Sequence, residues 1–455
     1  MSMDGVRHQM PASAGRVAER RGEASSKPTS DETSSPRHET IDAGQGLLAQ
    51  VLARENMQRA WKRVKANKGA AGVDGMDIAQ TGRYLVTALP NIRHQLMAGT
   101  YRPSPVRRVG IPKPDGSERE LGIPTVIDRL IQQSLLQVLQ PLIDPTFSEH
   151  SHGFRPGRRA RDAVLAAQQY VQEGYRVVVD VDLSKFFDRV NHDILIDRLR
   201  KRVNDAGVIR LVRAYLNAGI MDGGMVSRRV EGTPQGGPLS PLLANVLLDE
   251  VDHELERRGH RFARYADDCN VYVSSVKAGE RVMALLKRQY DKLHLKINES
   301  KSAVAGAFGR KFLGFELYRT GKNEVKRAVS RKALEAFKCR IRQITRRTCG
   351  RSIVQVIEQL RPYVLGWKSY FGLAQTARVL QGLDEWMRHR LRAIHLKHWK
   401  RSATIYRELI KLGARPNVAR SVAGNSRRWW RNSRMALNNV LTIAYFDRLG
   451  MPRLT

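Results

Sequence analysis

From Leu47 to Ala66 the apolar residues Leu48, Val51, Leu52, Trp61 and Val64 recur at helical spacing, and Asn67-Lys68-Gly69 ends the run. The pattern predicts an amphipathic helix. Val106 to Ile111 and Arg119 to Ile123 flank Pro112-Lys113-Pro114-Asp115-Gly116, the composition of a hairpin with a tight turn. Thr125 is placed to cap a helix reaching Ile143, and Arg158 to Gln172 predicts another. After Gly174, β-branched residues dominate Arg176-Val177-Val178-Val179-Asp180-Val181-Asp182 and predict a strand. Helices are predicted over Asp193 to Val203, Ile209 to Asn217, Leu239 to Arg257 and Glu280 to Leu293. Strand-like segments run from Phe262 to Val273, broken at Asp267-Asp268, from Ser302 to Ala307 and from Phe312 to Tyr318. Beyond Val325 the pattern is helical and basic to residue 412. Strands mixed with helices, then helices alone, with no internal repeat, predict an α+β fold followed by an all-helical module.

Composition narrows the class. The chain has 455 residues, 42% of them hydrophobic, enough for about two to four domains with real cores. It carries 79 Lys or Arg against 44 Asp or Glu, a net charge of +35, which calls for a polyanionic partner and argues against an ordinary metabolic enzyme. The excess is uneven: residues 326–455 hold 29 Lys or Arg and 6 Asp or Glu, so this part is the expected main polyanion-binding surface. Residues 1–45 are rich in Ser, Arg, Glu, Thr and Gly without aliphatic periodicity and are expected to be a disordered tail. Cys269, Cys339 and Cys349 are too few and scattered for a disulfide framework or a zinc site, which fits a reducing cytoplasm. No apolar run approaches the roughly 18 residues of a membrane span, and no signal peptide is visible.

The sharpest chemical feature is Tyr265-Ala266-Asp267-Asp268, two adjacent carboxylates between strand-like apolar segments. Acids are disfavoured in strands, and two like charges at close range need a cation to stay ionised cheaply. Alone, the tetrapeptide reads as a solvated turn. Asp182 changes that balance, because it ends an apolar strand on which alternation puts Asp180 and Asp182 on one face and Val179 and Val181 on the other. Asp182 with the Asp267-Asp268 hairpin would form a cluster able to bind two divalent ions, the arrangement that stabilises attacking and leaving oxygens in phosphoryl transfer. Asp180 reads as a rim or capping residue.

In order along the chain stand Asn67-Lys68-Gly69 through Gly72-Val73-Asp74-Gly75; Ile111-Pro112-Lys113 through Arg119-Glu120-Leu121-Gly122-Ile123-Pro124-Thr125; Gly153-Phe154-Arg155-Pro156-Gly157; Asp182 to Asp188; Gly232-Thr233-Pro234-Gln235-Gly236-Gly237-Pro238-Leu239-Ser240-Pro241; Tyr265 to Asp268; and Phe312-Leu313-Gly314-Phe315. Each block is weak alone, and seven in one order are specific. With Leu365-Gly366-Trp367-Lys368-Ser369-Tyr370-Phe371 and the run from Leu383-Asp384-Glu385-Trp386 to His398-Trp399-Lys400, the chain resembles the group II intron-encoded proteins, reverse transcriptases that also act as maturases.

The resemblance implies a right-hand polymerase: fingers and palm with an antiparallel sheet over 46–320, a helical thumb and maturase domain over 321–412, and a basic nucleic-acid-binding tail over 413–455. Asp182, Asp267 and Asp268 would be the catalytic metal ligands, holding two Mg²⁺ with the carbonyl of Leu183. Lys113 and Arg119 would grip the incoming triphosphate, a task for a point charge and a planar fork. Phe187 would crowd the sugar 2′ position and favour deoxynucleotides, although a core aromatic is the plain alternative. Gln235 and Lys301 would lie near the nucleotide, with a solvated lysine nearly as good a reading of Lys301. Phe154, Arg155 and Pro156 would contact template, and Trp367, Lys368, Arg388 and Arg392 RNA; core packing of a three-helix thumb competes for Trp367, Tyr370 and Trp386. Trp429-Trp430 could stack on single-stranded nucleic acid.

One departure is that His389, His395 and His398 share a predicted helix without a cysteine pair nearby, so the zinc-dependent HNH endonuclease of many relatives is not expected. The implied partners are group II intron RNA, RNA template, DNA primer, DNA target and deoxynucleoside triphosphates, with no membrane. Competing readings are a splicing-only maturase and a retron or defence-type reverse transcriptase.

Overall fold

The computed structural model of the chain describes residues 46–112, 118–222, 225–227, 231–233, 236–348 and 350–455. The expected 1–45 tail, Lys113, Gln235 and Cys349 lie outside the described residues, as does the side chain of Arg119.

Helices α1 (Leu47–Val51), α2 (Arg54–Ala66) and α3 (Ile78–Ala98) precede strands β1 (Val106–Pro112) and β2 (Glu118–Ile123). Then follow α4 (Val126–Ile143), α5 (Ala160–Gln172), β3 (Val177–Val181), α6 (His192–Arg200), α7 (Ala206–Asn217), β4 (Ile220–Asp222) and β5 (Met225–Ser227). Next come α8 (Ser240–Arg257), β6 (Arg261–Tyr265), β7 (Asp268–Val273), α9 (Val276–Lys292), β8 (Ala303–Gly306), β9 (Lys311–Phe312), β10 (Phe315–Arg319) and β11 (Val325–Val329). The remainder is helical: α10 (Arg331–Ile344), α11 (Ile353–Phe371), α12 (Ala377–Trp399), α13 (Ser402–Lys411), α14 (Pro416–Gly424), α15 (Trp429–Arg434) and α16 (Ile443–Arg448).

Thr125 caps α4 by accepting from the Asp128 N–H at 3.1 Å. The first expected helix is instead two, because the chain extends at Ala53 (φ −60°, ψ 141°) once Val51 and Leu52 are buried. Helix α3 carries its own start and stop signals, an Asp77/Gln80 capping box and a left-handed Gly99. Residues 325–329, expected to be helical, form β11, whose Val325 and Val329 are buried against the antiparallel partner β10.

The palm sheet has the order β6-β7-β3-β8, antiparallel throughout. Both of its faces are covered. Val179, Val181, Phe262, Cys269 and Val271 belong to one core with α4, α6, α7, α8 and α9. Val178, Ala263 and Tyr272 point the other way, into a second core shared with α5 and the helical module. A separate sheet, β2-β1-β4-β5, carries the fingers hairpin, with β1 and β4 parallel.

The short sheet β11-β10-β9 joins palm to helices. Gly314, at φ +82°, leaves room for Phe371, whose ring an added Cβ would approach to 3.1 Å, and the Tyr370 hydroxyl donates to the Leu313 carbonyl at 3.0 Å. Trp367 is buried between Phe337 and Phe371, with ring centroids 4.5 and 4.6 Å away. It is a core residue, which corrects its assignment as an RNA contact.

Residues 413–455 do not trail from the module. Leu437, Leu441 and Phe446 are fully buried in its core, and the N–H groups of Leu454 and Thr455 donate to Asp384 at 3.0 and 3.2 Å. The basic composition hid an apolar stripe too short to register as a helix. Phe446→Ala is expected to destabilise the helical module by about 3–5 kcal/mol in denaturant unfolding; an unchanged midpoint would mean that this segment is not integral to the fold.

Candidate active site

Asp180 of β3 faces Asn270 of β7, and Tyr265 of β6 faces Asp268. Strand alternation therefore sets Asp180, Asp182, Asp268 and Asn270 on one face of the palm sheet, while the valines beside them fill the core behind. Ala266, in the turn between β6 and β7, takes the left-handed conformation at φ +59°. Gly153 packs so closely on this turn that an added Cβ would lie 2.3 Å from the Ala266 nitrogen, so the Gly153-to-Gly157 block meets the Tyr265-to-Asp268 block directly.

Beneath the turn lies Arg264, 1% exposed. Its Nε donates to Asp252 at 2.8 Å, its Nη1 to Asn245 Oδ1 and to the Ala266 carbonyl at 2.9 Å each, and its Nη2 to Ser151 Oγ at 2.8 Å. Asn245 in turn donates to the Gly153 carbonyl at 2.9 Å. Burial opposes the guanidinium's charge, and Asp252 more than offsets it, holding the group above its ordinary pKa. The sequence reading passed over this brace; its signal was Arg264 between apolar strand neighbours, matched by Asp252 at a buried position of α8 between Val251 and Leu255.

Asp182 leaves β3 on a clamped backbone. Its N–H donates to Ser302 Oγ at 3.0 Å, and its carbonyl accepts from the Asn298 N–H at 2.8 Å. Lys301 Nζ stands 3.8 Å from Asp182 Oδ2. Asp180 pairs with Arg310 Nε at 2.8 Å and accepts from the Asn270 amide at 3.1 Å; burial raises its pKa against the pull of Arg310. Asp268 is pushed up to about 7, first by burial and then by the charges of Asp180 and Asp267, with Lys311 opposing. Among the described residues no group of three His, Cys, Asp or Glu is already arranged to hold a metal ion. The donor set nevertheless suits one: carboxylates on one face, where burial first and mutual repulsion second favour the protonated form of Asp268, both of which a divalent cation would offset.

The other expected site residues divide. Leu183 is buried and bridges Ile297. Phe186 is buried, whereas Phe187 keeps partial exposure, and its carbonyl accepts from Thr233 N–H at 2.7 Å. Gly236, at φ +130°, lies against the Gly122 carbonyl, 2.8 Å from where its Cβ would be, so the glycine loop leans on the fingers hairpin. Phe154 is exposed, 6.2 Å from the Tyr265 ring, and Pro156 is exposed beside it.

Arg155 is buried instead, donating to Asp144 Oδ1 at 3.0 Å and to the Ser151 carbonyl at 3.1 Å, so it ties down the loop and does not face template. Lys368 Nζ donates to the backbone oxygen of Arg453 at 2.9 Å. Arg388 and Arg392, expected to face RNA from the helix surface, are 2% and 5% exposed; α12 is enclosed by α15 and α16, so its arginines turn inward. His389 and His395 are buried likewise.

Residues 111–317 match the reverse transcriptase (RNA-dependent DNA polymerase) family, and residues 334–412 match the group II intron maturase-specific domain. Protein YkfC of Escherichia coli K12 is 36% identical over 220 residues, 47% of this chain and 58% of its own. Group II intron-encoded protein LtrA of Lactococcus lactis subsp. cremoris is 27% identical over 361 residues, 64% of this chain and 59% of its own. The putative COX1/OXI3 intron 2 protein of Saccharomyces cerevisiae is 32% identical over 200 residues, 44% of this chain and 23% of its own. The chain thus spans less than two thirds of the length of each of these relatives. Fold and site define a reverse transcriptase fused to a maturase-specific domain, and a domain of the first kind implies dependence on a divalent metal. The chain is similar in both domains to the group II intron-encoded proteins.

Two expectations follow from these geometries. Arg264→Met leaves Asp252 buried without its counter-charge and should cost about 3–5 kcal/mol, whereas adding Asp252→Leu should recover most of that loss; equal unfolding midpoints for the single and double variants would refute the pairing. Asp268 binds its proton more readily folded than unfolded, so it costs no stability below its ordinary 3.8 and a growing amount as pH rises towards about 7. In metal-free protein the wild type should therefore lose stability relative to Asp268→Asn across that interval, and parallel pH profiles would contradict the shift.

Proposed function

We propose that the chain is an RNA-directed DNA polymerase that also binds the group II intron RNA encoding it, promoting that intron's splicing and mobility. The observation that carries the reading is the placement of Asp182 and Asp268 on one face of the central palm strands, beside the turn bearing Asp267. Asp182, Asp267 and Asp268, with the Leu183 carbonyl, are the groups that would hold two Mg²⁺ ions, which when bound activate a primer 3′-hydroxyl and stabilise the departing pyrophosphate.

The remaining roles fall to the chain's own residues. Lys113, Arg119 and Gln235 bind the triphosphate. Lys301 offsets the charge of Asp182 and is free to turn to the nucleotide, because its side chain is 62% exposed. Phe187, partly exposed next to buried Phe186, fills the space a ribose 2′-hydroxyl would need. Phe154 and Pro156 offer an exposed contact for template. The exposed Lys and Arg of residues 326–455 supply the surface that neutralises RNA phosphates. No described helix is long and apolar enough to cross a membrane, and we place the activity in the cytoplasm.

Primer extension on an RNA template with deoxynucleotides and Mg²⁺ tests the reading. The wild type should extend and the Asp267→Ala/Asp268→Ala protein should not; tight intron RNA binding by a wild type that makes no DNA would leave a splicing-only maturase. Phe187→Ala should extend with deoxynucleotides and gain ribonucleotide incorporation, and unchanged sugar selectivity would remove Phe187 from the nucleotide site.

A further inference from the structure

In the helical module, α12, α15 and the segment leading into α16 enclose a cavity of about 900 Å³, within the range of about 300–1,000 Å³ typical of ligand pockets. Arg388 and Arg392 line its floor, one helical turn apart and both more than nine-tenths buried. Their electrostatic situations differ. Arg388 is paired with Asp384 at 3.3 Å and Asp447 at 3.1 Å, although its Nε is buried with no partner among the described residues. Arg392 has only the Leu441 carbonyl for its Nε, at 2.8 Å, and the face of Phe446, 5.7 Å away. No described carboxylate pairs with it. Burial and the charge of Arg388 depress its pKa to about 10. A buried cation without a counter-ion is expensive, and the structure keeps one facing a cavity.

The mouth has a different chemistry. Trp430 is 41% exposed there, its ring 3.7 Å from that of His389, whose Nε2 donates to the Trp430 carbonyl at 2.9 Å. Trp386 lines the same opening, and Arg434 stands exposed on the lip. Glu385 also lies at this edge, where it accepts from Gln381 at 3.3 Å. A fixed aromatic plate beside an unneutralised buried arginine is the pairing that recognises a base and its phosphate together.

We infer that this cavity is a binding pocket for one unstacked nucleotide of a single-stranded nucleic acid, its phosphate neutralising Arg392 and its base stacking on Trp430. The inference rests on the proposed nucleic-acid binding and adds a specific site to it.

The test uses the full chain and fluorescein-labelled U10, dT10 and a ten-base-pair RNA duplex, read by fluorescence anisotropy. Arg392→Met and Trp430→Ala should each weaken U10 binding about tenfold and leave the duplex unaffected. Arg407→Met, which removes an equal charge from an exposed position on α13, should weaken U10 less than about twofold. Equal losses with dT10 assign the pocket to a nucleotide of either sugar, and losses with U10 alone assign it to RNA. The nucleic-acid-free melting temperature of Arg392→Met should hold or rise, since an uncompensated charge is gone. Wild-type affinity for U10 in both variants, or a drop in melting temperature for Arg392→Met together with unchanged binding by Trp430→Ala, would overturn the pocket while leaving nucleic-acid binding intact. Failure of the wild type to bind any of the three probes would overturn both.

Discussion

Arg264 carries a full positive charge buried within the palm, and its fork of donors is distributed over three separate pieces of chain: Asp252 and Asn245 on α8, Ser151 ahead of the glycine-containing loop, and the Ala266 carbonyl in the turn before Asp267. A guanidinium can do this because its donors lie in one rigid plane, where an ammonium would offer a single mobile point. The turn that carries Asp267 ahead of Asp268 would otherwise be an exposed connection between β6 and β7. Its left-handed Ala266 carries a strain of order 1–3 kcal/mol, and the hydrogen bond from Arg264 together with the close approach of Gly153 holds it there. The same network ties down the loop bearing Phe154, so that loop and the acidic turn cannot move independently.

A second constraint is the palm sheet's position between two cores. Val179, Val181 and Val271 anchor one face in the polymerase core, and Val178 and Tyr272 anchor the other against α5 and the helical module. The acids occupy the end of that second face, where the hydrophobic layer stops. Burial at this boundary is deep enough to raise the pKa of Asp268 and shallow enough to leave Asp182 43% exposed by its side chain. Rigidity of the strands comes from their apolar remainder, and their register adds to the brace under the turn and the clamp on the Asp182 backbone. Through Gly314, Tyr370 and Phe371 the helical module is seated on the short sheet β11-β10-β9, and the core it shares with Val178 and Tyr272 fixes it to the sheet that presents the acids.

The strand of Asp180 and Asp182, the cap at Thr125 and the break at Asp267-Asp268 were legible because each rests on a local rule: alternation, a side-chain acceptor, a pair of strand-breaking acids. What failed to show depended on distant partners. Arg155, Arg388 and Arg392 look like surface charges until the loop, α15 and α16 close over them, and burial of a charge has no signature within three or four neighbouring positions. Trp367 could be read as RNA contact or core, and the choice was made by Phe337 and Phe371, 30 residues upstream and four downstream. The 413–455 segment was misread because arginine-rich short helices bury single residues such as Leu437 and Phe446 rather than a continuous stripe. Strand β11 likewise owes its form to β10 and not to its own sequence.

A net charge of +35 and an acidic reaction centre are in tension, and their arrangement resolves it. Neighbouring acids on one sheet face repel one another and any other anion. Around them the chain sets cations at graded distance: Arg310 on Asp180 at 2.8 Å, Lys301 by Asp182 at 3.8 Å, and Lys311 acting on Asp268 through space. Arg310 is the tightest of these and is partly buried, so Asp180 is neutralised within the protein itself. Lys301 is held loosely and lies exposed, which makes its charge available to whatever anion enters. The difference separates Asp180 on β3 from Asp182 just past its end: Asp180 is spent on structure, and Asp182, clamped through its backbone, is left with an exposed side chain and a removable counter-charge.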